Sequence, residues 1–206
     1  MAKNHREPNT EFTFEGLHHV ALVAKDMDET VDFYSNVLGM PLFKAIDLPH
    51  GMGQHFFFDI GNGDTLAFFW FPDAPEASPG VASQGSDLTS AVGSMNHIAF
   101  QVPEDKIEEY VQRLRAKGIE CSDVTNHDMS ELQVGPEHTS DTWARSVYFT
   151  DPNGIALELC YWPKEFTAED AALQAAKASD AERYLEVKRN SAEGVAALLN
   201  GVGLGD

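Results

Sequence analysis

Two stretches of the chain share one pattern of hydrophobic and polar positions. Residues 16–23 (GLHHVALV) and residues 94–101 (SMNHIAFQ) each place a histidine in front of an alternating apolar run. Alternation with a period of two predicts a strand that buries one face. In both places a helical spacing follows, over 28–39 and 106–118, and both helices are predicted to end at a glycine. The chain therefore contains the same strand-and-helix unit twice.

Further short apolar runs predict the remaining strands of each unit. In the first unit, residues 55–60 (HFFFDI) and 65–71 (TLAFFWF) are joined by GNGD, which is a strong hairpin signal. In the second unit the predicted strands cover 118–124, 144–150 and 155–162. A long polar stretch separates the first two of these strands. The pattern predicts an α+β fold made of two modules, each close to a βαβββ unit.

The repeat also organises the rest of the chain. A repeat of this length is too long for a solenoid and predicts two copies of one supersecondary unit within a single domain, residues 14–163. The segment between the modules is rich in Pro, Gly, Ser and Ala, and the C-terminal part is rich in Ala and Glu and is predicted to be helical. The predicted bounds are 1–13 for a polar N-terminal arm, about 14–72 and 94–163 for the modules, 73–93 for the linker and 164–206 for the helical C-terminal extension.

The charge balance narrows the class of partner. The 206 residues include 33 Asp and Glu against 14 Lys and Arg, a net charge of −19, which disfavours nucleic acid and anionic membranes because both require a positive face. No apolar run is long enough for a membrane span, and the first residues lack the apolar core of a secretory signal. We expect a cytoplasmic protein that acts on a small molecule. Its oligomeric state stays open, with a homodimer among the options.

Three residues form a candidate metal site: His19, His97 and Glu158. Each falls inside a predicted strand between apolar neighbours, so that the alternation turns the polar side chain to one face. If the strands curl into a half-open cup, the three side chains point into it. A carboxylate buried in a sheet is costly unless it is paired or ligated. Two imidazoles and one carboxylate are typical of non-haem Fe(II) oxygenases, and Mn, Zn or Ni also fit.

Three segments together resemble the vicinal oxygen chelate superfamily. They are LHHVALVAKDMDETVDFYSNVLGM, MNHIAFQVPEDKIEEY and VYFTDPNGIALELCYW, and the resemblance covers about residues 14–163. That superfamily contains glyoxalase I, extradiol ring-cleaving dioxygenases, fosfomycin-resistance thiol transferases and methylmalonyl-CoA epimerase. The resemblance implies paired βαβββ modules that form a cup around one divalent metal. It also implies that His19, His97 and Glu158 are the metal ligands.

The same resemblance assigns three further positions. The first-module counterpart of Glu158 is Ala67, where glyoxalase I has a carboxylate ligand, so this chain offers three ligands rather than four. The run from 135 to 158 resembles the extradiol dioxygenase signature, in which a histidine precedes a strand tyrosine, a DPxG turn and the ligand Glu. Tyr148 matches that tyrosine, which hydrogen-bonds near the metal-bound substrate. His138 matches the histidine, slightly out of the usual spacing.

These features favour a divalent-metal enzyme whose substrate chelates through two adjacent oxygens. An Fe(II) extradiol-type dioxygenase of aromatic compounds ranks first, with Tyr148 and His138 as the catalytic residues. Two alternatives stay open. One is a lyase or isomerase of the glyoxalase or epimerase kind, in which the metal acts as a Lewis acid. The other is a metal-free protein whose cup binds an aromatic compound. The identity of the metal separates the three.

Overall fold

A computed structural model describes residues 11, 15–75, 92–130 and 132–190. These residues fall into two compact units, one that ends at Glu165 and one that begins at Phe166. The predicted N-terminal arm, apart from one residue, and most of the predicted linker lie outside the described residues. Among the helices of the described ranges, none is long and apolar enough to cross a membrane.

The first unit contains two four-stranded sheets, one from each predicted module. Its strands are β1 (Val20–Val23), β2 (Leu42–Asp47), β3 (Gln54–Gly61), β4 (Asp64–Trp70), β5 (Ile98–Gln101), β6 (Thr125–His127), β7 (Ala144–Thr150) and β8 (Ala156–Tyr161). Their order is β1-β4-β3-β2 in the first sheet and β5-β8-β7-β6 in the second. In each sheet the opening strand of the module lies at one edge and pairs in parallel with the last strand. The α+β prediction and the repeated module are therefore confirmed.

Short helices cover one face of each sheet. Helix α1 (Met27–Val31) continues into a π-helical turn over Asp32–Val37, and helix α2 spans Ile107–Ala116. The side chain of Asp26 caps α1 by accepting a hydrogen bond from the first turn. Gly39 follows the π-helical turn with φ 78°, a left-handed conformation that favours glycine. The single α-helix predicted here is therefore an α-helix that widens before the predicted glycine stop.

One hydrophobic core joins the two modules. Tyr34, Phe58 and Phe68 are fully buried in the first module, and Phe149 and Leu157 are fully buried in the second. All five belong to one contiguous cluster of buried side chains. Removing this much apolar surface from water is the main favourable contribution to folding, so the two modules form one unit rather than two independent ones.

Polar contacts join the same modules at the turn between β7 and β8. The hydroxyl of Tyr34 donates to Asp151 at 3.0 Å. The side chain of Asn153 accepts from the amide of Lys25 at 2.9 Å and donates to Thr30 at 3.2 Å. The predicted DPNG turn therefore connects β7 to β8 and also joins the two modules by hydrogen bonds.

The structure differs from the predicted elements at β2, over 118–124 and β6, and at the starts of β1 and β5. Strand β2 was not predicted, because all six of its residues are exposed and it lacks the alternation that marks a half-buried strand. The strand predicted over 118–124 is reduced to a bridge between Cys121 and Phe149, and the next strand is β6, inside the stretch expected to be a polar loop. His19 and His97 directly precede β1 and β5 rather than lying within them.

The second unit is less helical than predicted in the part that the structure describes. Single 3₁₀ turns cover Glu169–Ala171 and Ala178–Asp180, and an α-helix covers residues 181–190. The carboxylates of Asp170 and Asp180 accept hydrogen bonds from backbone amides three residues earlier, at 2.7 and 2.8 Å. Such local side-chain bonds to the backbone compete with a continuous helix.

Candidate metal centre

His97 and Glu158 meet on the second sheet. Nε2 of His97 lies 2.9 Å from Oε2 of Glu158. The sheet brings them together because Ala99, two residues after His97, pairs with Glu158 between β5 and β8. The side chain of Glu158 is only 8% exposed, whereas that of His97 is 40% exposed. Two of the three predicted ligands are therefore in direct contact. The partly exposed imidazole of His97 makes this pair accessible to solvent.

The hydrogen bond at Nδ1 of His97 determines whether Nε2 can act as a metal ligand. Nδ1 of His97 lies 2.7 Å from Oδ1 of Asn96. An amide oxygen can only accept a hydrogen bond, so Nδ1 is the donor in this contact. In the neutral ring, Nε2 then has no proton and offers its lone pair. That lone pair faces the Glu158 carboxylate at 2.9 Å. Two acceptors at this distance require a proton or a cation between them, and their nitrogen and oxygen donors suit a divalent transition metal.

The strand register gives the first-module counterpart of Glu158. Ala21 pairs with Ala67 on the first sheet in the way that Ala99 pairs with Glu158 on the second. Ala67 is fully buried. The register agrees with the alignment made from the sequence, so the first module offers a methyl group where the second offers a carboxylate.

His19 lies on the first sheet beside an aromatic surface formed by His55, Phe57 and Phe69. Its ring centre is 6.0 Å from that of Phe57, and its Nδ1 is 2.7 Å from Nδ1 of His18. On the same face, His55 stacks on Phe69 with ring centres 3.6 Å apart and an interplanar angle of 15°. Burial, and then the neighbouring His19, lower the pKa of His55, which keeps its ring neutral and suited to stacking.

A single chain does not bring His19 to the other two predicted ligands. Within the described ranges, which include all three residues, no group of three or more His, Cys, Asp or Glu side chains is placed to hold a metal ion. In the part of the chain that the structure describes, strands β1 and β5, which follow the two histidines, are both edge strands with one neighbour each. Each therefore presents an unpaired side to a further strand. The three-ligand set stays a prediction.

Tyr148 lies beside Glu158, and an imidazole holds its hydroxyl. Tyr148 and Glu158 are directly paired between β7 and β8. Burial, and then the charge of Glu158, raise the pKa of Tyr148, so that its hydroxyl stays protonated. Nε2 of His127, the last residue of β6, lies 2.9 Å from the hydroxyl oxygen. The His97–Glu158 contact and the His127–Tyr148 contact thus lie at neighbouring positions of one sheet.

The imidazole at Tyr148 is therefore that of His127, which the sequence did not indicate. The predicted His138 is exposed, in the loop before β7. His127 was missed because it lies in a polar stretch without strand periodicity. It reaches Tyr148 because β6 pairs with β7, with His127 opposite Ala144. That pairing joins residues far apart along the chain, so no local pattern signals it.

A family model matches residues 16–159, and its description is the Glyoxalase/Bleomycin resistance protein/Dioxygenase superfamily. The matched range contains all three predicted ligands and both sheets except the last two residues of β8. The chain belongs to this superfamily. The resemblance recognised from the sequence is confirmed.

This protein is similar to proteins that are named for several different reactions. It is 30% identical over 115 residues to MhqE of Bacillus subtilis (strain 168), named as a candidate ring-cleaving dioxygenase, and the match covers 54% of this chain but only 34% of that protein. It is 26% identical over 145 residues to the metallothiol transferase FosB of Shouchella clausii (strain KSM-K16), covering 70% and 78% of the two chains. It is 28% identical over 150 residues to the mitochondrial methylmalonyl-CoA epimerase of Homo sapiens, covering 69% and 72%.

A solved structure supports the fold of this superfamily member. The glyoxalase family protein from Enterococcus faecalis superposes with a TM-score of 0.52 at 25% identity, covering 72% of this chain and 98% of that one. The relatives named above are enzymes, but they catalyse different reactions, so membership in the superfamily fixes the architecture and leaves the reaction to the site.

Proposed function

We propose that this protein is a divalent-metal enzyme of the ring-cleaving dioxygenase type, with Fe(II) as its metal and an aromatic substrate that carries two adjacent oxygens. The observation that carries the proposal is the His97–Glu158 pair with Tyr148 on the neighbouring strand. A nitrogen and a carboxylate donor that leave further positions free are characteristic of such sites. The similarity to MhqE supports the reaction class. The aromatic surface beside His19 suits a planar ring.

In this proposal the third ligand, His19, comes from a second copy of the chain. Two observations support this assembly. The described part of one chain contains no three-residue metal group, and both β1 and β5 are sheet edges. Edge strands of two copies can meet about a two-fold axis, which would create two equivalent sites. Each site would combine His19 of one copy with His97 and Glu158 of the other.

The residues of the site then have separate tasks. Glu158, His97 and His19 hold the ion, and Asn96 keeps Nε2 of His97 available by accepting a hydrogen bond from Nδ1–H. Fe(II) held by these residues would supply open positions for the substrate oxygens and O₂, and the redox chemistry between them. Tyr148 stays protonated because of its raised pKa, and it donates a hydrogen bond to a substrate oxygen on which negative charge develops.

Metal content and oxygen uptake test the proposal together. The wild-type protein, purified without chelator, is expected to contain iron and to consume O₂ when catechol is added. Glu158→Gln should lose the metal, because a neutral amide is a poor ligand. Glu137→Gln, which changes an exposed loop carboxylate in the same way, is the matched control and should keep both metal and uptake. Iron-loaded wild type that consumes no O₂ with a panel of catechols would contradict the dioxygenase assignment.

A lyase or isomerase is the second candidate, and the coverage of the relatives favours it. The match to the epimerase covers 72% of that protein, whereas the match to MhqE covers 34%. In this reaction class the metal acts as a Lewis acid and no O₂ is consumed. Zn, Ni or Mn in the isolated protein, with no oxygen uptake, would support this candidate. A protein that binds none of these metals would instead be a small-molecule binding protein.

A further inference from the structure

A β-bulge in β2 turns two exposed side chains onto the aromatic surface of the first sheet. The partners of Leu42 and Lys44 on β3 are consecutive residues, so Phe43 is an extra residue on β2. Such a bulge sets two residues of one strand opposite one residue of its neighbour and re-aims their side chains. Phe43 is 59% exposed, yet its ring centre lies 6.2 Å from that of Phe57. Since Lys44 is the residue paired with Phe57, both side chains border that ring.

Lys44 provides the only Lys or Arg side chain in the four strands of this sheet. Among the residues that the structure describes, no carboxylate oxygen lies within 4.0 Å of its ammonium group, although the chain has 33 acidic residues against 14 basic ones. Six other cations do have such a partner: Lys25, Lys106, Arg113, Arg115, Arg145 and Arg189. An exposed cation beside an aromatic surface is therefore available to an anionic ligand.

Phe57 lies between the predicted ligand His19 and this cation. The strand order is β1-β4-β3-β2, with His19 just before β1 and Lys44 on β2. The ring centres of His19 and Phe57 lie 6.0 Å apart, and β4 contributes only the methyl group of Ala67 as the partner of Phe57. Three strand spacings of about 4.8 Å separate β1 from β2. A ring that stacks on Phe57 with its two oxygens on the His19 side therefore directs its far edge towards Lys44.

We propose that Lys44 selects a substrate whose aromatic ring carries a carboxylate on the side opposite its two adjacent oxygens. This inference rests on the proposed function and names the substrate class of the same site. The ammonium group donates charge-assisted hydrogen bonds to the carboxylate, while Phe43 and Phe57 contact the ring. A protein with a net charge of −19 repels anions at long range, so a local cation is what allows such a substrate to bind.

Binding to the full chain as purified, with O₂ excluded, tests this preference without turnover. The probes are dihydroxyphenylacetate, with its acetate group para to one hydroxyl, and the methylcatechol of the same pattern, which is neutral. By titration calorimetry at low salt, the wild type is expected to bind the acid about fivefold more tightly than the methylcatechol. Lys44→Met should abolish this preference and leave the Kd of the methylcatechol unchanged. Lys44→Arg keeps the charge and should retain the preference within about twofold.

Lys106→Met is the matched control, because it removes the same charge next to the start of α2 and should keep the full preference. Absence of a preference in the wild type, or an equal loss in both Lys→Met variants, would overturn the proposal. So would an equal weakening of both compounds in Lys44→Met, which would show packing instead of charge recognition. If the preference is present but neither compound leads to O₂ uptake in air, the proposed reaction fails and the role of Lys44 stands.

Discussion

At the scale of single residues, the candidate metal centre depends on which atoms are left free to bind. Asn96 occupies Nδ1 of His97 and so directs its Nε2 to Glu158. Glu158 is almost fully buried, and a buried carboxylate is tolerated only where donors or a cation meet its charge. Tyr148 is its direct cross-strand neighbour. In the proposed site, the metal ligand Glu158 and the residue that acts on the substrate, Tyr148, are therefore neighbours with different tasks.

Glu158→Ala and Tyr148→Phe should separate metal binding from turnover. Glu158→Ala removes a ligand and should lower metal affinity by more than the about 10–100-fold that outer contacts are worth. Tyr148→Phe should keep the metal and lower kcat by about 10²–10³-fold, because a positioned donor acts mainly on charge that develops during the reaction. Elemental analysis and kcat measurements distinguish the two effects.

The exposed His138 provides the comparison for these variants. His138→Ala should change kcat little, since the imidazole at the Tyr148 hydroxyl is that of His127. A collapse of turnover in His138→Ala, together with full activity in Tyr148→Phe, would reverse the assignment. Proton transfer would then be assigned to His138 in the loop before β7.

At the scale of elements, the turn between β7 and β8 holds the first-module helix against the second sheet. Asp151 accepts from Tyr34 and from the amides of Asn153 and Ile155. Burial nevertheless outweighs these donors and raises the pKa of Asp151. An acid with a raised pKa in the folded state binds its proton more readily when folded. Stability therefore falls as pH rises from the ordinary aspartate pKa to the raised one.

Tyr34→Phe should weaken the contact between the modules at Asp151, by an amount that depends on pH. The variant removes a donor to a buried carboxylate and should lower the free energy of unfolding at neutral pH by about 1–3 kcal/mol. The pKa of Asp151 should rise further, so the loss should shrink at acidic pH, where the carboxyl is protonated. Urea unfolding at both pH values measures this. Tyr110→Phe, on the half-buried side of α2, is the control. An equal loss at both pH values would mean that Asp151 is not the group involved.

At the scale of the whole molecule, the described residues of a single chain bring two of the three predicted ligands together, and β1 and β5 lie at sheet edges. An isologous dimer repeats every contact about its axis, so one contact that brings His19 to a partner creates two sites. The assembly would also cover the unpaired backbone of both edges, which is otherwise a liability.

Mixing two inactive variants tests this assembly. His19→Ala and Glu158→Ala should each be inactive as homodimers. If subunits exchange at random, about half of the dimers are mixed and each contains one intact site, so activity should recover to about a quarter of wild type. A differently tagged pair of subunits verifies the exchange.

A second mixture provides the control. His97→Ala and Glu158→Ala change residues that lie together in one chain, so their mixed dimers contain no intact site and should stay inactive. No recovery in the first mixture, once subunit exchange has been shown, would mean that His19 is not contributed by a partner.

Much of the architecture could be predicted because it is written in local periodicity. Alternating and helical spacings indicated both modules, and the repeat predicted the correspondence of Ala67 with Glu158 that the strand register shows. Elements without a buried face were the exceptions. Strand β2 exposes all its residues, so its side chains carry no alternation, although its backbone pairs with β3.

The sequence by itself determined the superfamily, the repeated module and the residue types able to bind a metal, because these depend on patterns within short segments. Tertiary structure decided which of those residues meet. The pairing of β5 with β8 joins His97 to Glu158, and the pairing of β6 with β7 brings His127 to Tyr148. It also leaves His19 apart on the other sheet. Such contacts follow from strand register and from the unpaired edges of sheets, which involve segments far apart in the chain.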